Sequence, residues 1–233
     1  MDRQILDMDR TRGGGARLLG GRAVHYLCAD HIPKSLFRNS QDIDFYVPER
    51  KRRILVEVLE QSGWQGDREF NLLNGKTRLI FKQDGEKVDV FVDVFKMSHV
   101  VPLGSYDHNP YTLSSTDLLL IKLQVFEITA KDLIDSCALL CTFSLDNQGI
   151  RADYIARLLA GEWGLWRTFT NNLERLATSA REIMADDLTA AELVQSRARD
   201  LLAYIEREPK RTSWRIRNMV GERVPWYEKP EEP

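Results

Sequence analysis

The segment R-N-S-Q-D-I-D-F-Y-V, from Arg38 to Val47, combines a strand pattern with two closely spaced carboxylates. Apolar residues at 43, 45 and 47 alternate with the residues at 42, 44 and 46, and this period of two predicts a strand over 42–47. Side chains two apart on a strand share a face, so Asp42 and Asp44 are expected roughly 6 to 7 Å apart on one side. Two like charges this close need a counter-charge, and hard divalent cations bind carboxylate oxygens. The segment therefore predicts a metal-binding edge of a sheet.

A second acidic strand is predicted from the pattern K-V-D-V-F-V-D-V-F, from Lys87 to Phe95. Its valines occupy one face, and Asp89 and Asp93 lie on the other. A third carboxylate from a neighbouring strand would complete a two-metal site, which positions a triphosphate and activates an attacking hydroxyl. We prefer Asp89, which lies in the local form V-D-V beside the Asp84-Gly85 turn, and keep Asp93 as the reserve.

A glycine pair and two polar residues complete the candidate site. Gly20-Gly21 precedes a predicted helix, and glycines there let backbone N–H groups approach phosphate oxygens at a helix N-terminus. Just before the first acidic strand, Ser40 can donate a hydrogen bond to a phosphate. Arg38 can pair with a phosphate or with the carboxylates. Each feature is weak alone, and their order along the chain is the informative part.

The remaining patterns place these features in an α+β protein. The first half is predicted to contain a helix over 22–30, a helix that begins at Pro48 and ends at Gly63, and a hairpin of strands 70–73 and 77–82 around Asn74-Gly75. From about residue 112 the chain is predicted to be helical, with a capping box at Ser114–Asp117 and later helices over 131–143, 150–159, 165–184 and 188–206. We expect a small mixed sheet flanked by helices, followed by a C-terminal helical bundle.

Composition bounds the class of protein. Lys and Arg number 33 and Asp and Glu 35, a net charge of −2, so no broad electrostatic footprint for nucleic acid or membrane is expected. No apolar run approaches the roughly 20 residues of a membrane span, and the N-terminus lacks a signal-peptide core. Three cysteines without framework spacing are typical of free thiols in a reducing compartment. We expect a cytoplasmic location and no membrane partner.

The ordered pattern G-G-x-A, R-x-S-x-D-I-D and a later acidic strand resembles the nucleotidyltransferase superfamily, the DNA-polymerase-beta-like fold, over residues 16–140. It looks most similar to the AbiEii and MenT group of bacterial nucleotidyltransferases. That group also tends to carry a lysine on a later helix followed by K-D-x-x-D, which here would be Lys122 and Lys131–Asp135. The short, poorly patterned N-terminus before the first strand departs from that group.

The resemblance implies a nucleoside triphosphate such as ATP as substrate and Mg²⁺ as cofactor, in a two-metal site, with Mn²⁺ as the alternative ion. The implied metal ligands are Asp42, Asp44 and one of Asp89 and Asp93, and the implied triphosphate contacts are Gly20, Gly21 and Ser40. Lys122 would contact phosphate or the acceptor, and Asp132 would orient that lysine or act as a base.

The predicted organisation is a nucleotidyltransferase catalytic core over 1–112, a helical domain over 113–208 and an extension over 209–233 with a flexible tail. The predicted function is Mg²⁺-dependent transfer of a nucleoside monophosphate to a hydroxyl or phosphate acceptor on tRNA, a protein or a small molecule. With a tRNA acceptor the protein would be a toxin with an antitoxin partner. The alternatives are a non-catalytic nucleotide-binding or regulatory module on the same fold, and a helical interaction protein with a structural acidic strand.

Several candidate residues also have purely structural interpretations. Lys122 could bury its stem and extend its ammonium to solvent, and Asp132 and Asp135 could complement a helix dipole. His99 and the aromatic residues Trp163, Trp166 and Phe169 are expected to be structural. The basic residues near the C-terminus could contact an RNA backbone or form a solvated face; they are Lys210, Arg211, Arg215 and Arg217.

Overall fold

A computed structural model of the chain describes residues 2–104 and 109–229. The elements of the first half are α1 (Asp2–Thr11), β1 (Arg17–Leu19), α2 (Gly20–Cys28), β2 (Ile43–Val47), α3 (Arg52–Gln61), β3 (Gln65–Gly66), α4 (Arg68–Asn74), β4 (Arg78–Gln83), β5 (Glu86–Val92), β6 (Val94–Lys96) and β7 (Val100–Pro102). Those of the second half are α5 (Ser115–Leu123), α6 (Ala130–Thr142), α7 (Ala152–Leu159), α8 (Trp163–Ile183), α9 (Leu188–Arg207) and α10 (Thr212–Val220).

A five-stranded mixed sheet forms the centre of the first half, in the order β1-β2-β5-β4-β3. The β2 and β5 strands run parallel, and the other neighbouring pairs are antiparallel. A parallel pair needs a long crossover, and here α3, α4 and the intervening strands provide it. Asp84-Gly85 forms the predicted turn between β4 and β5, with both residues at positive φ. The predicted α+β class, with a small mixed sheet followed by helices, is confirmed.

The alternation seen in the sequence determines which face of the sheet is apolar. One face carries fully buried side chains from both central strands: Ile43, Phe45, Val47, Val88, Val90 and Val92. The opposite face carries Asp44 and Asp89, which lie opposite one another in the β2–β5 register. Because the side-chain period is two, a one-residue slip of either strand would exchange these faces.

The segment around Asn74-Gly75 was predicted to be a hairpin, and this prediction is wrong. Residues 70–73 belong to α4, whose N-cap Asp67 accepts a hydrogen bond from the Phe70 backbone N–H. Asn71 bonds both the N–H and the carbonyl of Ile80, so the helix is anchored to β4 by a side chain. Asn74-Gly75 therefore ends a helix and does not form a hairpin turn. The helix cap at Asp67, seven residues earlier, prevails over the turn signal.

The second acidic strand is interrupted where the sequence predicted continuous pairing. Strand β5 ends at Val92, Asp93 has φ +57°, and β6 pairs with β7 in a separate two-stranded sheet. The Asp93 carboxylate accepts a hydrogen bond from the Glu49 backbone N–H at 3.0 Å. Asp93 therefore does not share the face of Asp89, contrary to the predicted alternation.

One continuous hydrophobic cluster connects the two halves of the chain, with buried residues from Ile5 to Ile205. Leu18 of β1 forms a bridge with Thr112, and α2 packs against α5 and α6. Ser114 is the N-cap of α5, as predicted: its hydroxyl accepts a hydrogen bond from the Asp117 backbone N–H and donates to the Asp117 carboxylate at 2.9 Å. Near residue 112 the chain thus changes from strands with helices to helices alone, and both parts share one hydrophobic core. Of the helices described, none is long and apolar enough to cross a membrane.

The last described residues of the C-terminal extension pack on the loop after α5 and on the turn between β6 and β7. Tyr227 stacks on Phe126, with ring centroids 3.5 Å apart, and Trp226 lies edge-on to the same ring. The Glu228 backbone N–H donates to the Ser98 carbonyl at 2.9 Å. The extension was predicted to end in a flexible tail; residues 230–233 lie outside the described residues.

Candidate active site

The candidate site is centred on Asp44, whose carboxylate lies between a glycine pair and a second carboxylate. Asp44 is half-buried at the centre of the sheet, and Asp42 is exposed just before β2 begins. Burial is the main cause that raises the pKa of Asp44 to about 7, and the neighbouring Asp89 adds to it. Lys122 and Lys87 act in the opposite direction. A carboxylate in this state binds a proton or a cation more readily than a solvated one.

Gly20 and Gly21 lie directly against this site. Gly20 has φ +70°, and a Cβ there would overlap the Asp44 carboxylate. A Cβ on Gly21 would overlap the Arg38 guanidinium and come within 2.8 Å of the Ser40 hydroxyl. The N-terminus of α2 is therefore in direct contact with three predicted site residues, and only glycine leaves space for them.

Asp89 is already neutralised by two cations. Its Oδ1 accepts from Arg78 Nε at 2.7 Å and lies 2.6 Å from Nη2 of the same guanidinium, while Oδ2 lies 2.9 Å from Lys87 Nζ. Arg78 is itself held between two rings, with its guanidinium carbon 5.5 Å from the Phe70 centroid and 5.4 Å from that of Phe91. Sequence reasoning missed Arg78, because its contact with Asp89 depends on the β4–β5 register.

A second charged cluster lies beside the glycine pair and links Arg38 to Lys122 through α6. Arg38 donates from Nε to Asp135 Oδ1 at 2.6 Å and from Nη2 to the other oxygen. Lys122 Nζ lies 2.8 Å from Asp135 Oδ2 and 3.1 Å from Asp132 Oδ1. Burial disfavours the ammonium, but Asp135 and Asp132 outweigh it, so the pKa of Lys122 is raised.

This cluster places Lys122 and Asp132 in contact and adds Asp135, which ends the K-D-x-x-D pattern but was assigned no role at the site from the sequence. Asp132 also closes a capping box with Thr129, so it has a structural function as well. The signal was present in K-D-x-x-D, since acids three apart on a helix share a face. Asp135 holds Arg38 in place beside Gly21.

The three predicted metal ligands differ in how far other side chains engage them. Asp42 and Asp44 supply hard oxygens that no other described side chain engages in a hydrogen bond or ion pair, and they fit a divalent cation. Asp89 would have to exchange Arg78 or Lys87 for a metal. Within residues 2–104 and 109–229, no group of three or more His, Cys, Asp or Glu is arranged to hold a metal. The fit is thus to two carboxylates, with the third engaged elsewhere.

The other candidates lie in structural positions. His99 is buried, its Nε2 is 2.9 Å from Thr168 Oγ1, and burial lowers its pKa. Phe169 is fully buried and Trp163 nearly so. In the basic C-terminal cluster, Lys210 donates to the carbonyls of residues 205 and 208, and Arg217 donates to those of 221 and 224. These two cations therefore serve the local fold.

Comparisons with known proteins add a distant structural likeness. Neither a protein-family model nor a curated protein sequence matches the chain. The chain is similar to the solution structure of the antibiotic-resistance factor ANT(2'')-Ia, with 13% identity, 88% of this chain and 92% of that chain covered, and a TM-score of 0.36. It is similar also to ANT(2'')-Ia in complex with adenylyl-2''-tobramycin, with 12% identity, 85% and 94% covered, and a TM-score of 0.36.

Proposed function

We propose that the protein is a Mg²⁺-dependent nucleotidyltransferase that moves a nucleoside monophosphate from a nucleoside triphosphate to a hydroxyl or phosphate acceptor. The observation that carries the proposal is the position of Asp44. Its carboxylate lies against Gly20 at the N-terminus of α2 and opposite Asp89 in the parallel strand pair. Few functions other than binding a cation and a phosphate explain a half-buried carboxylate, a glycine pair and a helix N-terminus at one point.

Asp42 and Asp44 would hold the metal, and Asp89 would join them if Arg78 or Lys87 released it. Bound there, Mg²⁺ would neutralise the triphosphate and lower the pKa of the acceptor hydroxyl. The acceptor oxygen attacks the α-phosphorus, the bond between the α-phosphorus and the bridging oxygen breaks, and pyrophosphate leaves. The acceptor proton passes to a site carboxylate or to water.

The remaining residues would bind and orient the triphosphate. The first backbone N–H groups of α2 and the Ser40 hydroxyl are donors beside Gly21. Arg38 would pair with phosphate oxygens, with Asp135 fixing its guanidinium plane. Lys122 would contribute positive charge, and Asp132 would act as its positioning residue.

The acceptor classes to be tested are tRNA, a protein side chain and a small molecule. Purified protein with Mg²⁺ and each of the four labelled triphosphates is incubated with total RNA, with lysate protein and with a metabolite extract. Label is expected in one fraction, and the double variant Asp42→Asn with Asp44→Asn is expected to abolish it. Asp200→Asn, an exposed aspartate on α9, is the matched control. Transfer that survives the double change would overturn the proposal.

Transfer to tRNA would support the function of a toxin. We would then expect expression to arrest growth and an antitoxin partner to relieve the arrest. Arrest by the double variant would show that growth inhibition does not depend on transfer.

A second candidate is a nucleotide-binding module that performs no chemistry, and the engagement of Asp89 by Arg78 and Lys87 favours it. Calorimetry with each triphosphate, paired with a pyrophosphate-release assay on the same samples, separates the two. Binding without pyrophosphate release in every acceptor fraction would support the module.

A further inference from the structure

A cavity of about 730 Å³ opens beside the candidate site, between α1, α2, the segment 37–40 and Tyr111. Its walls combine guanidinium groups with aromatic rings; the residues that define it are Arg3, Arg22, Arg38, Tyr26, Phe37 and Tyr111. The volume lies in the range of small-molecule sites. None of the carboxylates proposed to hold the metal lines this cavity, so it is distinct from the metal site.

The cavity wall presents guanidinium groups, two of which are paired with carboxylates: Arg22 with Asp2 and Arg38 with Asp135. Among the described lining residues, three carry guanidinium groups, against the carboxylate of Asp2. Arg22 donates to both oxygens of Asp2, at 2.8 and 2.7 Å, while its Nε is buried without a partner. Arg3 lies over the Tyr111 ring at 5.2 Å and makes a cation–π contact there. An anionic ligand at this wall would meet guanidinium donors.

The aromatic rings at the cavity are unusually open to solvent. Tyr26 is 47% exposed and Phe37 is 50% exposed. Tyr26 approaches Tyr111 with centroids 6.1 Å apart, and Phe37 meets His25 edge-on at 5.6 Å. Open rings that line a cavity offer stacking surfaces for a planar ligand.

The cavity is continuous with the phosphate side of the candidate site. Arg38 and Ser40 line it, and the same two side chains lie against Gly21 at the start of α2. A ligand that stacked its ring on Tyr26 and extended a phosphate toward Arg38 would therefore reach the glycine pair. A nucleotide combines a planar ring with a phosphate in this way.

We propose that this cavity binds a nucleotide, with the base against Tyr26 and Phe37 and a phosphate at Arg38 and Ser40. The proposal rests on the proposed function and deepens it by assigning a base-binding subsite. The nucleotide has two sources of identical chemistry, the donor triphosphate and the 3′-terminal nucleotide of an RNA acceptor. The test has one arm for each source.

Binding is measured by calorimetry in EDTA, so that neither metal nor turnover is needed. One arm titrates each of the four triphosphates, and the other titrates a short single-stranded RNA with a free 3′ hydroxyl. Tyr26→Ala is expected to raise the Kd of one of these ligands about tenfold or more, because the base loses its stacking partner. The weakened arm identifies the source. Tyr204→Ala, a comparably exposed tyrosine on α9 at 46%, is the matched control and should leave both affinities within twofold.

A second variant, Arg3→Gln, keeps the test from depending on one substitution. It is expected to raise the Kd of the same ligand and to reduce the salt dependence of that Kd. The inference is overturned if wild-type protein binds neither ligand, or if both variants leave both affinities within twofold. A protein that binds in this way but transfers nothing would refute the proposed function and retain the base-binding subsite. A protein that transfers label while Tyr26→Ala and Arg3→Gln both leave both affinities within twofold would refute the base-binding subsite and retain the proposed function.

Discussion

Replacing Asp44 by asparagine is expected to stabilise the metal-free protein at pH 8 while abolishing transfer. Burial and Asp89 raise the pKa of Asp44 to about 7 in the folded protein, against an ordinary value of 3.8. Below pH 3.8 the carboxyl is protonated in both the folded and the unfolded state and contributes no difference. As the pH rises from 3.8 to 7, the unfolded chain releases the proton while the folded protein retains it, so the free energy of unfolding falls.

The magnitude follows from the separation of these two pKa values. Each unit of difference between the two pKa values is worth about 1.36 kcal/mol. The raised pKa of Asp44 therefore lowers the free energy of unfolding by about 4 kcal/mol, and this loss is complete above pH 7. Asparagine is never charged and avoids this cost, but its amide needs hydrogen-bond partners of its own. We therefore expect Asp44→Asn to gain about 1 to 4 kcal/mol at pH 8 and to lie close to wild type at pH 4.

Urea unfolding in EDTA at pH 4 and pH 8 measures this difference directly. Added Mg²⁺ should stabilise wild type and leave Asp44→Asn unchanged, because a ligand stabilises the state that binds it. Asp42→Asn is the matched control in EDTA, since Asp42 is exposed and a surface change is expected to stay within about 0.5 kcal/mol. Equal or lower stability of Asp44→Asn at pH 8 would show that the folded protein ionises this carboxyl without cost, and would refute the reasoning.

Gly20→Ala is expected to lower the free energy of unfolding in urea more than Gly85→Ala does. Both glycines have positive φ, +70° at Gly20 and +84° at Gly85, but a Cβ at Gly20 would meet the Asp44 carboxylate whereas one at Gly85 would meet open space. Gly85→Ala should cost roughly 1 to 2 kcal/mol, and equal losses would contradict the close approach. Asp89→Asn should abolish transfer of labelled nucleotide and Asp93→Asn should retain it, because asparagine tolerates positive φ and can still accept the Glu49 hydrogen bond; the reverse result would favour the carboxylate at position 93. Lys122→Met should lower the free energy of unfolding, measured by heat or urea, by about 3 to 5 kcal/mol, because Asp132 and Asp135 lose the cation that they share. An unchanged free energy of unfolding would argue against that pairing.

The elements that the sequence predicted well are those set by local physical chemistry. Alternation of apolar residues defined β2, and Ser114 with Asp117 marked the start of α5. The glycine pair at the start of α2 was recognised because few side chains tolerate φ +70° and close approach. These signals depend on residues within a few positions of one another. The hairpin predicted at Asn74-Gly75 failed for the same reason, since two local signals competed and helix capping at Asp67 prevailed.

What the sequence determined by itself is the set of residues that can do chemistry: a D-x-D strand, a glycine turn, and a lysine followed by K-D-x-x-D. The tertiary structure alone decided their partners. Strand register brought Arg78 to Asp89, a left-handed residue at position 93 removed the reserve carboxylate from the site face, and packing of α6 against α2 brought Asp135 to Arg38. Asp135 is 97 residues from Arg38 in the chain, so no local pattern encodes that contact. Charge interactions act through space, and which charges meet depends on how the whole core packs.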